Sequence, residues 1–121
     1  MANPNIATAT NIFGRTIGMA VTTSTQNLTG TVPLNRIYKI NSLIIANISG
    51  TAAADVNVTL LDSSAGTSYN LAYTITVPAD STLVVISKDT QIYIEEQDNI
   101  NITCSANSTL HAIVSFEEIY A

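Results

Sequence analysis

The chain has 121 residues, a length that suits one domain with one hydrophobic core. Its net charge is −5, and only 11% of its residues are charged, against about 25% in an average globular protein. The few basic residues form no stripe, which argues against nucleic-acid binding through phosphates and against a polybasic membrane anchor. Apolar residues make up 46% of the chain, which excludes the composition of a disordered protein.

The expected setting is a reducing cytoplasm. No apolar run is long enough for a transmembrane helix, and the start MANPNIATAT lacks the basic region and apolar run of a signal peptide. The single cysteine, Cys104, excludes an intrachain disulfide. A surface rich in Thr, Asn and Ser packs against other protein without desolvating many charges. The composition therefore fits either an assembly subunit or a neutral soluble β domain.

Residues 1–14 are predicted to form an extended N-terminal arm, and residues 15–121 a β-sandwich domain. The arm contains three large apolar residues, Ile6, Ile12 and Phe13, and does not alternate cleanly. Such an arm either covers its own domain or reaches a neighbouring subunit. The three apolar residues are therefore interface candidates.

Alternation of apolar and polar residues with a period of two predicts strands throughout the rest of the chain. Nine strands are predicted, over Thr16–Thr23, Asn27–Val32, Arg36–Ile48, Asp55–Leu61, Thr67–Val77, Thr82–Ser87, Gln91–Glu95, 100–106 and Thr109–Ile119. Their number and their spacing by short polar turns indicate an all-β fold. The prediction is a single antiparallel β-sandwich, either jelly-roll or immunoglobulin-like.

The third predicted strand offers further interface candidates. Its centre, Leu43–Ala46, is apolar on both faces. A strand of this kind either is central to the fold or meets a partner with its second face. Leu43 and Ile45 are therefore added to the interface candidates.

The tyrosines bear on carbohydrate binding, which commonly uses exposed aromatic platforms. The clean alternation of the fifth strand predicts that Tyr69 and Tyr73 point inward. Tyr38, Tyr93 and Tyr120 remain available for a sugar, and the chain has no tryptophan. Glycan binding stays an open alternative.

Catalytic and metal chemistry find little support. His111, the only histidine, falls on the outward face of the last strand, and Cys104 falls on an inward face, as a small core residue does. CxxC, HExxH, GxSxG and glycine-rich phosphate motifs are absent from the sequence. We therefore expect no enzyme, no cofactor and no metal site. For the acidic group Glu95, Glu96 and Asp98 a solvated turn is the favoured interpretation, with a calcium site as the alternative.

Several stretches resemble a family of small virion structural proteins of tailed phages, of the type found in marine myoviruses that infect cyanobacteria. The matching stretches are MANPNI, RIYKINSLIIANISGT followed by AADVNVTL, VPADSTLVVISKDTQIYIEEQDNI and SANSTLHAIVSFEEI. They cover nearly the whole chain and consist of turn and core patterns. Where such proteins have a glycine in the acidic turn, this chain has Gln97, which makes a positive φ there costly.

The resemblance implies a non-enzymatic virion protein that is assembled in the host cytoplasm. Its partners would be copies of itself and other virion proteins, such as the major capsid or tail proteins, with no nucleic acid and no membrane. A capsid decoration or cement protein is the first hypothesis. The alternatives are a tail, neck, baseplate or fibre-attachment component and a host-surface glycan-binding module.

Overall fold

The computed structural model describes residues 3–121, so that the first two residues of the predicted arm lie outside the described part. The strands are β1 (Asn11–Ala20), β2 (Gln26–Asn27), β3 (Ile37–Asn47), β4 (Ala54–Asp62), β5 (Thr67–Val77), β6 (Thr82–Ile86), β7 (Ile92–Ile94), β8 (Asn99–Cys104) and β9 (Leu110–Tyr120). A short 3-10 helix, Lys88–Thr90, joins β6 to β7. The prediction of an all-β sandwich is confirmed, and each predicted strand has its counterpart in the structure.

The strands form two antiparallel sheets that pack face to face. The first sheet has the order β1-β9-β3-β6, with β7 also paired to β3, and the second has the order β2-β8-β4-β5. The chain crosses repeatedly from one sheet to the other, and the first and last long strands lie side by side. This is the strand order of a jelly roll, which decides between the two predicted styles of sandwich.

The core lies between the sheets and is built by the period of two along each strand. In β9, Leu110, Ala112, Val114 and Phe116 are at most 1% exposed, while His111 and Ile113 face outward. The ring of Tyr38 stacks on Phe116 at 4.5 Å between centroids. Each large apolar side chain that is buried in this way stabilises the fold by about 1.5–3 kcal/mol.

Strand β5 departs from the prediction that Tyr69 and Tyr73 point inward. Their exposed fractions are 56% and 70%. The cause is an irregularity in the pairing with β4: Thr74 has a φ of 51°, and its N–H donates to Asn57 Oδ1 at 2.7 Å. This bulge shifts the phase of the strand, so that Ala72 enters the core and Tyr73 faces solvent. A second irregularity separates Tyr69 from the bulge, and Tyr69 lies exposed opposite Leu60. The inward prediction for both tyrosines is wrong.

Strand β1 extends into the segment predicted to be the arm. It begins at Asn11 and pairs with β9 in unbroken register as far as Ala20. The ring of Phe13 stacks on Tyr120 at 5.9 Å. Before the strand, the chain turns back along its own domain, and the Asn3 amide donates to Glu95 Oε1 at 2.6 Å. The boundary at residue 14 stays a prediction, with the sheet beginning before it.

A buried carboxylate fastens β1 and the start of β3 to β9. Glu118 is 2% exposed, and its carboxylate accepts hydrogen bonds from Arg15 Nε at 2.7 Å and from Arg36 Nη1 at 2.6 Å. The Arg36 guanidinium also lies 3.8 Å from the ring centroid of Tyr120. A buried charge needs partners of this kind, because a single unpaired carboxylate would be costly to desolvate.

The two arginines also set the ionisation of this carboxyl. Burial raises the pKa of Glu118, but the hydrogen bonds and charges of Arg36 and Arg15 outweigh burial and hold that pKa below its ordinary value. The folded-state pKa is thus the lower one. The contribution to stability is complete above the ordinary carboxyl pKa and is lost as the pH falls through the folded value.

Glu118→Gln should lower the free energy of unfolding near neutral pH by about 1–3 kcal/mol, because two arginines lose a charged acceptor. Urea denaturation measures the change. Glu117→Gln, on the opposite face of the same strand, is the matched control and should change stability by less than about 0.5 kcal/mol. As the pH falls below the ordinary pKa of a carboxyl group, the Glu118→Gln difference should shrink, because the unfolded wild-type chain takes up a proton that the folded carboxylate resists. A difference independent of pH would contradict this assignment.

Candidate functional site

The two side chains best suited to catalysis by type, His111 and Cys104, lie on an outer strand face and in the core. His111 is exposed on the outer face of β9, between Ala20 of β1 and Ala46 of β3 in the register. Cys104 is 6% exposed, and its thiol donates to the carbonyl oxygen of Ala106 at 2.9 Å. These are the outward and inward positions that the sequence predicted. Within residues 3–121, neither side chain forms a hydrogen bond to another side chain.

The acidic turn is held by its own hydrogen bonds. The Asp98 carboxylate accepts from the N–H of Ser63 at 2.9 Å and from the N–H of Glu95 at 3.0 Å. Glu96 Oε2 accepts from the N–H of Asn35 at 2.7 Å. The carboxylates thereby tie three loops together at one end of the sandwich. Over residues 3–121, no three His, Cys, Asp or Glu side chains are grouped closely enough to hold a metal ion.

Gln97, which stands where the resembling proteins have glycine, adopts the left-handed conformation that is costly for any other residue. Its φ is 68°, and its N–H donates to the carbonyl oxygen of Val32 at 2.8 Å. The turn is therefore kept without glycine, at a conformational cost of about 1–2 kcal/mol. Two hydrogen bonds hold Gln97 in this strained conformation: its own to Val32, and the one from the N–H of Glu95 to the Asp98 carboxylate.

Gln97→Gly should raise the free energy of unfolding by up to about 1 kcal/mol, because glycine adopts this φ without steric strain, while only the long hydrogen bond from Gln97 Nε2 to the carbonyl oxygen of Val32, 3.3 Å, is lost. Thermal and urea denaturation measure the change. The matched control is Gln91→Gly, at a residue with a φ of −60°, where glycine adds freedom to the unfolded chain and removes the hydrogen bond from Gln91 Nε2 to Asn41 Oδ1 at 2.9 Å, so that stability should fall. Equal effects of the two substitutions would refute the strain at residue 97.

The most distinctive surface is a row of small and apolar residues that crosses the outer face of the first sheet. The register aligns Gly18 of β1 with Ile113 of β9, Ile113 with Ile44 of β3, and Ile44 with Val84 of β6. The exposed fractions are 41% for Ile113 and 56% for Val84. An apolar row over four neighbouring strands is not needed by the core, which lies on the other face of the sheet.

The row continues around the side of the sandwich where the edge strands β5 and β6 meet. There a groove of about 360 Å³ is lined only by apolar and aromatic residues, Leu71, Ala72, Tyr73, Ile75, Leu83, Val84 and Val85. Tyr73 is 70% exposed and Ile75 is 41% exposed. Val84 belongs to both the row and the groove and makes them one surface.

We call this surface the apolar belt and define it by Ile44, Tyr73, Ile75, Val84 and Ile113. Contiguous exposed apolar surface on a soluble domain commonly marks an interaction site. With no charge in the groove lining, a partner could cover the belt without desolvating an ion. The belt is thus an exposed surface of apolar and aromatic side chains.

The predicted interface residues fall into two sets. Ile6, Ile12 and Phe13 are 48%, 58% and 47% exposed, so that all three can reach a partner. Leu43 and Ile45 are 0% exposed and lie in the main core. On this strand the choice of residues is corrected: the phase of β3 turns Leu43 and Ile45 inward and presents Ile44 and Ala46 outward.

The sequence-based interpretation missed most of the belt. Val84 and Ile113 lie in runs that are apolar at consecutive positions, LVVI and AIV, and such runs do not reveal which residue faces out. The exposure of Tyr73 was not predicted, because it depends on the bulge at Thr74. The apolar residue within HAIVS, at a position where strict alternation requires a polar one, is the signal that could have pointed to Ile113.

Comparison with known proteins gives a fold but no family. No protein-family profile and no curated protein matches the chain. Within the described residues, no helix combines the length and the apolar character needed to cross a bilayer. The relationships that remain are similarities of fold.

The chain is similar to a protein of Bacillus endospore appendages, described as disulfide-linked pili, with 14% identity and a TM-score of 0.55 over 100% of this chain and 96% of that one. It is similar to a protein from the capsid of Helicobacter pylori bacteriophage KHP30, with 6% identity and a TM-score of 0.51 over 92% of this chain and 89% of that one. A third similarity is to a protein of infectious bursal virus-derived T=1 particles, with 10% identity and a TM-score of 0.53 over 93% of this chain and 32% of that one. At such identities the likeness shows a common fold.

Proposed function

We propose that this chain is a non-enzymatic structural subunit of a tailed-phage virion, specifically a capsid decoration or cement protein that is assembled in the host cytoplasm. The apolar belt is the observation that carries the proposal. A rigid jelly roll with few charges and an exposed apolar surface is suited to repeated contacts with copies of itself and with a shell.

Two further lines support a structural role. Proteins of similar fold build a phage capsid, a virus particle and a pilus, and all of these are repeating assemblies. The motifs that resemble tailed-phage virion proteins point to the same class. The positions of Cys104 and Asp98 support the proposal that the protein is not an enzyme, because Cys104 lies in the core and the Asp98 carboxylate caps turns.

A tail, neck, baseplate or fibre-attachment component is the nearest alternative. The similarity to a pilus protein over 100% of this chain and 96% of that one supports a fibre as the alternative to a shell. Copy number separates the two, since decoration requires hundreds of copies per particle and a neck or tail ring about six or a few multiples of six. Quantitative mass spectrometry of purified particles of the encoding phage gives that number.

Glycan binding is the second candidate function, favoured by the exposure of Tyr69 and Tyr73 on β5. Exposed tyrosines supply the apolar rings and hydroxyls that sugars stack on. Binding to a glycan array that is abolished by Tyr73→Ala would favour this function. A blank array would leave the structural role.

The belt should be required for incorporation. We expect the double variant Val84→Lys and Ile113→Lys to fold with a free energy of unfolding within about 1 kcal/mol of wild type, because both side chains are already exposed. Its occupancy on particles should fall at least about tenfold, since two lysines would be desolvated in each contact. Ser64→Lys, at an exposed loop tip, is the matched control with normal occupancy. Full occupancy of the double variant would refute the role of the belt.

The arm should contribute to incorporation without being needed for folding. Deletion of residues 1–9 ends before β1 and leaves the stacking of Phe13 on Tyr120 in place, whereas a cut at residue 14 would remove strand pairs. We expect the shorter deletion to lower occupancy and to leave cooperative unfolding intact. Ile6→Asn, which keeps the length of the arm, tests its apolar anchor alone. Normal occupancy of the truncated protein would exclude the arm from the contact.

A further inference from the structure

Strand β1 presents a long free edge. It pairs on one side with β9 and is the outermost strand of its sheet among the residues that the structure describes. All ten of its residues are in unbroken register with β9. An edge of this length is a ready template for another strand unless the protein protects it.

The hydrogen-bond phase shows which backbone groups are free. The N–H of Val21 donates to the carbonyl oxygen of Leu110 at 2.9 Å, and the two residues continue the register of β1 and β9. In an antiparallel ladder, alternate residues bond to the same neighbour. Odd-numbered residues of β1 therefore bond to β9. The N–H and C=O groups of the even-numbered residues point in the opposite direction, away from β9 and toward the open edge of the sheet.

The usual protections of an edge are missing from β1. It contains no proline and no lysine, and its one charge, Arg15, is engaged by Glu118. Gly14 and Gly18 are among the even-numbered residues, so no side chain stands over their free backbone groups. An added Cβ at either glycine would meet nothing within 4 Å in the described part of the chain. The other long edge, β5, is interrupted by the bulge at Thr74, which blunts it.

We propose that β1 pairs with β1 of a second copy of this chain, antiparallel and centred on Thr16. This inference deepens the proposed function, because it specifies one self-contact of the structural subunit. The first sheets of the two copies would become one continuous sheet across a two-fold axis.

The register follows from length and charge. Centred on Thr16, residues 12–20 of both strands pair, Gly14 faces Gly18 of the second copy, and Arg15 faces Ile17. A register centred on Arg15 would place like charges directly opposite each other, which is destabilising. A register centred on Ile17 would pair fewer residues. The Thr16 register forms five hydrogen-bonded pairs with two bonds each, or about ten hydrogen bonds.

Sedimentation equilibrium over a dilution series of the full chain tests the pairing. The wild type should reach twice the chain mass. Gly18→Pro should abolish the dimer and keep the fold, because it removes an N–H that the monomer does not use. Gly18→Ala keeps that N–H and should remain dimeric. Both fold and association are checked, by circular dichroism and by mass.

A charge pair tests the register without proline. Thr16→Lys alone and Thr16→Glu alone should each weaken the dimer about fivefold, because like charges meet at the two-fold axis, and a mixture of the two should form the mixed dimer preferentially. Thr67→Lys on the β5 edge is the control and should leave the dimer unchanged. A monomeric wild type, a dimer that survives Gly18→Pro, or a mixture without preference would each overturn the proposal. A monomer in solution that is still found at high copy on particles would overturn this inference alone, and absence from particles would overturn the proposed function.

Discussion

The period of two along each β-strand decides which apolar residues of this protein are consumed by its own fold and which remain for a partner. In β9 the even-numbered residues from Leu110 to Phe116 fill the core, and Ile113 between them faces outward. The same constraint acts on β3, where Leu43 and Ile45 are buried and Ile44 is not. Apolar residues on outward positions add nothing to the core. Their alignment across four strands is therefore the feature that a functional account must explain.

Several of the charged side chains stabilise the fold. Glu118 is buried between Arg15 and Arg36, and this cluster fastens the edge strand β1 to the rest of its sheet. The carboxylates of Glu96 and Asp98 accept hydrogen bonds from backbone N–H groups and stabilise turns. The belt is left without charge as a result. A partner that covers it meets apolar side chains and the Tyr73 ring, and has no ion to desolvate there.

Much of the fold was predictable from local pattern. The nine strands, the inward positions of Val56 and Val58 and the core position of Cys104 all follow from alternation within single strands. The predictions of inward and outward residues were wrong where a contact with a neighbouring strand decides which residues face the core. Thr74 forms a bulge because Asn57 of β4 binds its N–H, and this long-range contact leaves no mark in the sequence of β5. Consecutive apolar residues, as in LIIA and LVVI, likewise hide which side is buried.

The candidate surface was less predictable than the fold, because it combines β5 and β6 with β3 and β9, which are distant from them in sequence. Ile44, Val84 and Ile113 become neighbours only through the jelly-roll strand order. The exposed arm residues Ile6, Ile12 and Phe13 could be proposed from sequence because they lie together in one segment. Their part in an interface remains a prediction.

A reconstruction of the intact phage particle at side-chain resolution tests the central claim most directly. The proposed function predicts this jelly roll in many symmetry-related copies, with Val84, Ile113 and Tyr73 buried against a neighbouring protein subunit. Particles that lack the chain, or copies whose belt faces solvent throughout, would contradict it.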